Sequence, residues 1–255
     1  ESVVRCIELG AEDYLLKPFN AVLLRARIGA CLEKKKLRDH EACYLERLEA
    51  ERRRADDLLH AIFPPGAVQE LKASNTVRPR RYEGVAVLFC DVADFTAYCE
   101  RNPPEQVVAE LQALVERFEE IADRHGLEKI KTVGDAFLAT AGLLRRAEHP
   151  VLAAVRCGLE MVEAARSQSP FAVRVGIHHG PVVAGIIGRR QYQFDFWGDT
   201  INTAARIVAR APVGTVVMSA PTWLAVRNRC RGRSRGSVEF KGKGKVELVE
   251  CLEVR

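Results

Sequence analysis

From Val85 to the C-terminus the apolar residues switch repeatedly between a two-residue and a 3.6-residue period, and this switching restricts the possible folds more than any other feature. A two-residue period marks a strand with one inward face; a 3.6-residue period marks a helix with an inward stripe. The run Val85 to Cys90 reads as a strand that ends at Asp91. After Pro103-Pro104-Glu105, a stripe of Val107, Val108, Leu111, Leu114, Val115, Phe118, Ile121 and Ala122 predicts a helix, and His125-Gly126 ends it. Leu127 to Thr132 and Ala136 to Thr140 flank Gly134-Asp135 as a hairpin, and Pro150 to Ala165 predicts a second helix. Phe171, Val173, Val175 and Ile177 alternate along another strand. His178-His179-Gly180-Pro181 is then expected to turn the chain into the next, Val182 to Ile187. A strand from Tyr192 to Trp197, a helix from Thr200 to Ala209 and a strand from Val213 to Met218 follow. A short helix capped at Ser219-Ala220-Pro221 and a hairpin of Val238 to Phe240 with Val246 to Leu252 complete the pattern. Hairpins mixed with crossovers imply an α+β fold, with helices layered on a sheet.

The first third reads differently. Tyr14 to Leu16 is short and apolar like a buried strand, and Lys17-Pro18 ends it because proline cannot donate to a ladder. A helical run begins near Asn20. From Cys31 to Ile62 the sequence is charge-rich, with Leu37, Tyr44, Leu48, Ala55, Leu58 and Ile62 near three-and-four spacing, as in a parallel two-stranded coiled coil that Glu41 and Glu51 interrupt. Phe63-Pro64-Pro65-Gly66 stops that helix. Three segments are therefore expected: 1–30, a helical linker over 31–75, and a compact domain over 76–255.

Composition excludes several classes. At 255 residues and 47% hydrophobic content the chain can bury one sizeable core plus a smaller piece. No run approaches the roughly eighteen uninterrupted apolar residues of a membrane span, and Glu1-Ser2-Val3-Val4 is neither a signal peptide nor an initiator, so a cytoplasmic fragment is expected. Eight cysteines without a CxxC spacing suit reduced, buried thiols better than disulfides or zinc. The net charge of +5 is concentrated at Arg78 to Arg81 and at Arg227, Arg229, Arg231, Arg233 and Arg235. No aromatic residues interleave the second run, so a solvated loop is expected and nucleic acid is not.

Asp91 and Asp135 stand where strands end, and a carboxylate pair so placed is what a two-metal mechanism needs to grip a nucleotide's phosphates. Phe95 and Thr96 follow at a helix start, where free N–H groups favour anions. Strict alternation puts Lys131 opposite Ile130, on an open face, and likewise frees Asp195 from the apolar face of Tyr192, Phe194 and Phe196. Asn202 and Arg206 lie four apart and share one face of their helix; a guanidinium fork suits phosphate and an amide suits a ribose oxygen.

Four stretches, Cys90-Asp91-Val92-Ala93-Asp94-Phe95-Thr96, Lys129 to Asp135, Phe194 to Arg206 and Lys241-Gly242-Lys243-Gly244, resemble in order and spacing the class III nucleotidyl cyclase catalytic domain over about residues 80–254. Tyr14 to Phe19 resembles the last strand of a two-component receiver domain. The resemblances imply a ferredoxin-like α+β cyclase domain with a mixed, mainly antiparallel sheet, a long helical linker, and a partial α/β receiver answering to a histidine kinase. They imply that Asp91 and Asp135, with the Val92 carbonyl, bind two Mg²⁺ or Mn²⁺ ions per site. Arg206 would then stabilise the α-phosphoryl transition state, Asn202 orient the ribose, Phe95 and Thr96 lie near the phosphates, and Lys241 or Lys243 contact the terminal ones. Lys131 as donor and Asp195 as acceptor complement adenine, so ATP is the implied substrate; guanine reverses both positions. The full residue set in one chain implies a homodimer with shared sites. Two rivals were weighed: a diguanylate cyclase, for which no GGDEF-like or GGEEF-like run exists, and a silent nucleotide-binding or dimerisation module.

Overall fold

The computed structural model describes residues 5, 8–10, 17–18, 20–63, 65–74, 77–188 and 193–255. The chain divides into two compact units, Glu1–Ile62 and Phe63–Arg255. In the first, α1 (Ala21–Ile62) is a single 42-residue helix that passes through Cys31 without a break. Asn20 opens it, its side-chain Oδ1 accepting from the Val22 N–H at 2.8 Å. Glutamate, lysine, arginine, leucine and alanine dominate it, and no proline interrupts it. Leu37, Tyr44, Leu48 and Leu58 of the expected seam are exposed. Tyr14 to Leu16 lies outside the described residues.

The second unit begins with α2 (Pro65–Ser74) and β1 (Arg80–Val92), followed by α3 (Phe95–Arg101), α4 (Pro104–Arg124) and the hairpin β2 (Glu128–Val133) and β3 (Ala136–Ala141). Then come α5 (Pro150–Gln168), β4 (Val173–Ile187), β5 (Gln193–Trp197), α6 (Asp199–Val208), β6 (Val216–Ser219), α7 (Ala220–Leu224), β7 (Cys230–Phe240) and β8 (Gly244–Val254). The strands form one sheet in the order β2-β3-β1-β4-β6-β8-β7, with β5 paired to β4. Among the described residues only β4 and β6 run parallel and the other pairs are antiparallel, so the sheet is mixed and mainly antiparallel.

β1 is central, and its alternation sorts the core into two faces. Ala86, Leu88, Cys90 and Val92 join the first, where Leu114, Phe118 and Ile121 of α4 and Val155 and Met161 of α5 cover the sheet. Phe118 meets Phe137 edge-on at 5.7 Å. Each such buried side chain contributes about 1.5–3 kcal/mol. Val85, Val87 and Phe89 join the second face, where α6 lays Ala204 and Val208 beside Phe196. Ile207 of α6 packs separately with Val217, Phe240 and Leu248.

Three expectations are corrected. His178-His179-Gly180-Pro181 does not turn the chain but lies inside β4. The partner strand explains the tolerance: β1 bulges between Tyr82 and Val85, which pair with Val182 and Gly180, so Pro181 falls where the ladder is already interrupted. The run from Arg231 to Arg235 is strand β7 rather than a loop, with Arg231 on Glu253 and both Arg233 and Arg235 on the buried Glu250. Val108, assigned to the inward stripe of α4, is exposed, while its neighbour Val107 is buried.

Candidate active site

The second face carries the charge. Opposite residues of an antiparallel pair point the same way, so Asp91, next to the first-face residues Cys90 and Val92, shares the second face with its register partner Arg174. Arg174 holds that carboxylate with both nitrogens on Oδ2, Nε at 2.9 Å and an Nη at 2.7 Å. Asp135 follows Gly134, which turns the β2–β3 hairpin with a φ of 63°. Its carboxyl titrates above the ordinary range because it is partly buried and because Asp91 lies close, while the Val92 N–H and the Arg174 charge pull the other way. The hairpin thus brings Asp135 to the end of β1 beside Asp91. Arg174 is a site residue that the sequence reading missed. The signal was there: if Val173, Val175 and Ile177 point to one face, Arg174 points to the other.

Lys131 sits opposite Leu138, a second-face residue, and Ile130 packs on the same cluster. Strict alternation put the two on opposite faces. The register shift between Lys129 and Lys131 explains the difference, since a bulge at Ile130 cancels one step of parity. Asp195 is not open either: it is 7% exposed, between Phe194 and Phe196, which both pack on the second cluster. What permits a buried carboxylate there is its pairing. The Lys131 ammonium donates to Asp195 Oδ2, and the Phe196 N–H donates to Oδ1 at 2.9 Å. Tyr192, expected on this strand, lies outside the described residues.

On α6, Ile201, Ala204, Ala205 and Val208 face the sheet, leaving Asn202 exposed and Arg206 half-buried. Arg206 donates from Nη1 to the Lys241 carbonyl at 2.7 Å, tying the last turn of α6 to the β7–β8 turn. In that turn Lys243 is engaged: its ammonium pairs with Asp199 and donates to Thr203 Oγ1 at 2.5 Å. Lys241 makes no side-chain ion pair among the described residues. Phe95 packs near Phe171, with ring centroids 5.8 Å apart, and Thr96 beside it is exposed.

The residues fall into three groups: Asp91 with Asp135 and Arg174, Lys131 with Asp195, and Asn202 with Arg206 and Lys241. The first suits a hard dication. Burial, with the neighbouring Asp91 charge adding to it, raises the titration of Asp135, and a guanidinium supplies compensating charge. No cluster of three or more His, Cys, Asp or Glu forms among the described residues. A site of two carboxylates fits Mg²⁺ or Mn²⁺ completing their shells from backbone carbonyl, phosphate and water.

Comparisons with known proteins place the chain in a family. The family described as "Adenylate and Guanylate cyclase catalytic domain" matches residues 77–251. An adenylate cyclase of Mycobacterium tuberculosis is 32% identical over 203 residues, covering 77% of this chain and 46% of the relative. Human atrial natriuretic peptide receptor 2 is 32% identical over 244 residues, covering 92% of this chain and 23% of the receptor. The chain therefore spans about half of one relative and about a quarter of the other. Among solved structures, the guanylate cyclase domain of RhGC from Catenaria anguillulae in complex with GTP superposes with a TM-score of 0.67 at 28% identity, covering 69% of this chain and 100% of that one. In the described residues no helix is long and apolar enough to cross a membrane. By sequence and by fold, this chain belongs to the adenylate and guanylate cyclase catalytic domain family.

Proposed function

We propose that the chain is an adenylate cyclase, converting ATP to 3′,5′-cyclic AMP and pyrophosphate. The relatives include both adenylate and guanylate cyclases, so the choice of base rests on the Lys131–Asp195 pair. Its ammonium can donate to adenine N1 and its carboxylate can accept from the N6 amino group. Guanine presents a donor and a carbonyl at those positions, leaving both charges opposed.

Asp91, Asp135 and the Val92 carbonyl would hold two Mg²⁺ or Mn²⁺ ions, which when bound supply Lewis acidity to the ribose 3′-oxygen and neutralise charge on pyrophosphate. The 3′-oxygen forms its bond to the α-phosphorus, the bond to the bridging oxygen breaks, and the hydroxyl proton leaves to solvent. Arg206 stabilises the charge that grows on the α-phosphoryl group, and Asn202 orients the ribose. Phe95 and Thr96 present backbone N–H groups to the phosphates. Lys241 contacts the terminal ones, a choice favoured over Lys243 because Asp199 and Thr203 already engage the latter. Arg174 orients the Asp91 carboxylate toward the cation site. Members of this family bind nucleotide and act as dimers, and for this chain we read a homodimer whose two sites are shared. Purified protein incubated with ATP or GTP and Mn²⁺, with products separated by chromatography, tests the reading: cyclic AMP is expected, and cyclic GMP as the main product would overturn the assignment of base.

Regulation would come from an upstream receiver and its histidine kinase through α1, paired as a coiled coil that sets how two catalytic units meet. Deleting four residues within α1 should shift the seam and change activity strongly, whereas deleting seven keeps it in phase. Equal effects of the two deletions would make α1 a passive tether.

A further inference from the structure

A cavity of about 500 Å³ lies on the helix-covered side of the sheet, remote in the fold from the second-face groups. It is formed by the C-terminal end of α4, the loop before α5, the first turns of α5 and Arg229 ahead of β7, and its volume suits a small molecule. Its lining is unusually cationic: Arg124, Arg145, Arg146, Arg156 and Arg229 converge, with Glu148 the sole carboxylate. Two of the arginines are spoken for, Arg124 by Glu160 and Arg145 by Asp123. Arg146, Arg156 and Arg229 form no ion pair among the described residues.

Arg146, Arg156 and Arg229 are exposed around one concavity whose lining holds a single carboxylate, so the concavity carries an excess of positive charge that favours an anion. The scaffold also fixes two of the positions. The Arg145 N–H donates to Glu128 Oε1 at 2.6 Å, anchoring the loop to β2, and the Arg229 carbonyl accepts from the Arg255 N–H at 2.8 Å. α5 opens on the cavity with Pro150 in its first turn, no acidic residue there and no side-chain cap on its N–H groups, so the helix end adds to the positive field. Planar forks converging on a pocket match phosphate oxygens better than a single carboxylate. We propose that this cavity binds a compact phosphate-bearing anion, at a site separate from the one that takes the nucleotide.

The test is an equilibrium titration of the full chain with inorganic tripolyphosphate in EDTA, so that no divalent cation bridges phosphate to Asp91 and Asp135. Saturable binding is expected, weakening with added KCl, about tenfold or more weaker in Arg146→Gln/Arg156→Gln, and unaltered in Lys241→Gln. The double variant's thermal midpoint checks its folding, and the single variant Arg229→Gln serves if it fails. Lack of saturable binding, or a loss in Lys241→Gln with none in the cavity variants, would overturn the proposal. So would equal competition by poly-glutamate, which would make the cavity an acidic-protein surface. Vesicles carrying phosphatidylinositol bisphosphate separate the sources of phosphate. Retention that the double variant abolishes assigns a lipid headgroup, and tripolyphosphate binding without retention assigns a soluble molecule.

Discussion

The two faces of the central sheet are made by the same strands, yet they follow opposite rules. On the first, β1 contributes Ala86, Leu88, Cys90 and Val92 to a closed apolar layer beneath α4 and α5. On the second, the intervening positions begin as Val85, Val87 and Phe89 and end at Asp91, and α6 stands among charged pairs. The first face keeps its charges exposed at the surface, as with Lys129, which lies over the Phe137 ring and pairs with Glu119. The second admits buried charge where a partner is in reach, which is how a carboxylate as enclosed as Asp195 survives. The larger part of the buried apolar core therefore lies on one side and the proposed chemistry on the other.

The sharpest way to break this contrast is to exchange the readouts. Asp135→Asn should lower kcat by about a thousandfold, several kcal/mol of transition-state stabilisation, while the thermal midpoint holds or rises. The sign follows from its raised titration: ionising Asp135 costs the folded state more than the unfolded one, so its neutral replacement removes a penalty. Phe118→Ala on the first face should do the reverse, costing about 3–5 kcal/mol of stability with turnover per folded molecule preserved. Steady-state kinetics and thermal melts on both variants decide the matter, and parallel losses would dissolve the contrast.

Arg206→Ala should reduce kcat by about a hundredfold with a smaller change in KM, as expected of a donor to charge that grows in the transition state. A pure KM effect would assign Arg206 to ground-state binding. Lys131→Glu with Asp195→Cys should erode the ATP-to-GTP ratio of kcat/KM without matching gain on GTP. An unchanged ratio would place base selection elsewhere.

The smallest effect concerns His178, on the second face, where its Nδ1 lies 2.7 Å from Ser219 Oγ. Burial, reinforced by the Lys243 charge, lowers its titration from the ordinary 6.5 to about 4. Below about 6.5 the unfolded chain takes up a proton that the folded chain refuses, so this histidine's contribution to stability is lost as pH falls from about 6.5 to about 4. His178→Gln should flatten that part of the profile of thermal midpoint against pH, and an unaltered slope would refute the assignment.

The contrast also explains what could be read in advance. The first face was legible because burial there follows period alone: the α4 stripe from Leu114 to Ile121 and the inward run Val173, Val175 and Ile177 all reach the core. Parity failed where a bulge intervened, at Ile130 beside Lys131 and opposite Pro181, because a bulge is a property of two strands and neither sequence shows it alone. Asp91, Asp135, Lys131, Asp195, Asn202 and Arg206 were named from their motifs. The contacts that hold several of them were not. Arg174 lies 83 positions from Asp91, and Lys131 and Asp195 lie 64 apart, pairings that only the folded sheet creates.

The Lys131–Asp195 bridge bears on the energetics of selection. The two side chains satisfy each other, so on the proposed reading admitting a base would be an exchange of partners and not a gain of new ones. A base that reproduces both halves of the bridge leaves the enclosed carboxylate as well satisfied as before. One that reproduces neither strands two charges in a place where water is scarce. The cost of opening the bridge is common to every base and cancels from their ratio, so on the proposed reading it lowers affinity for all of them, while discrimination rests on what each base gives back to the two charges.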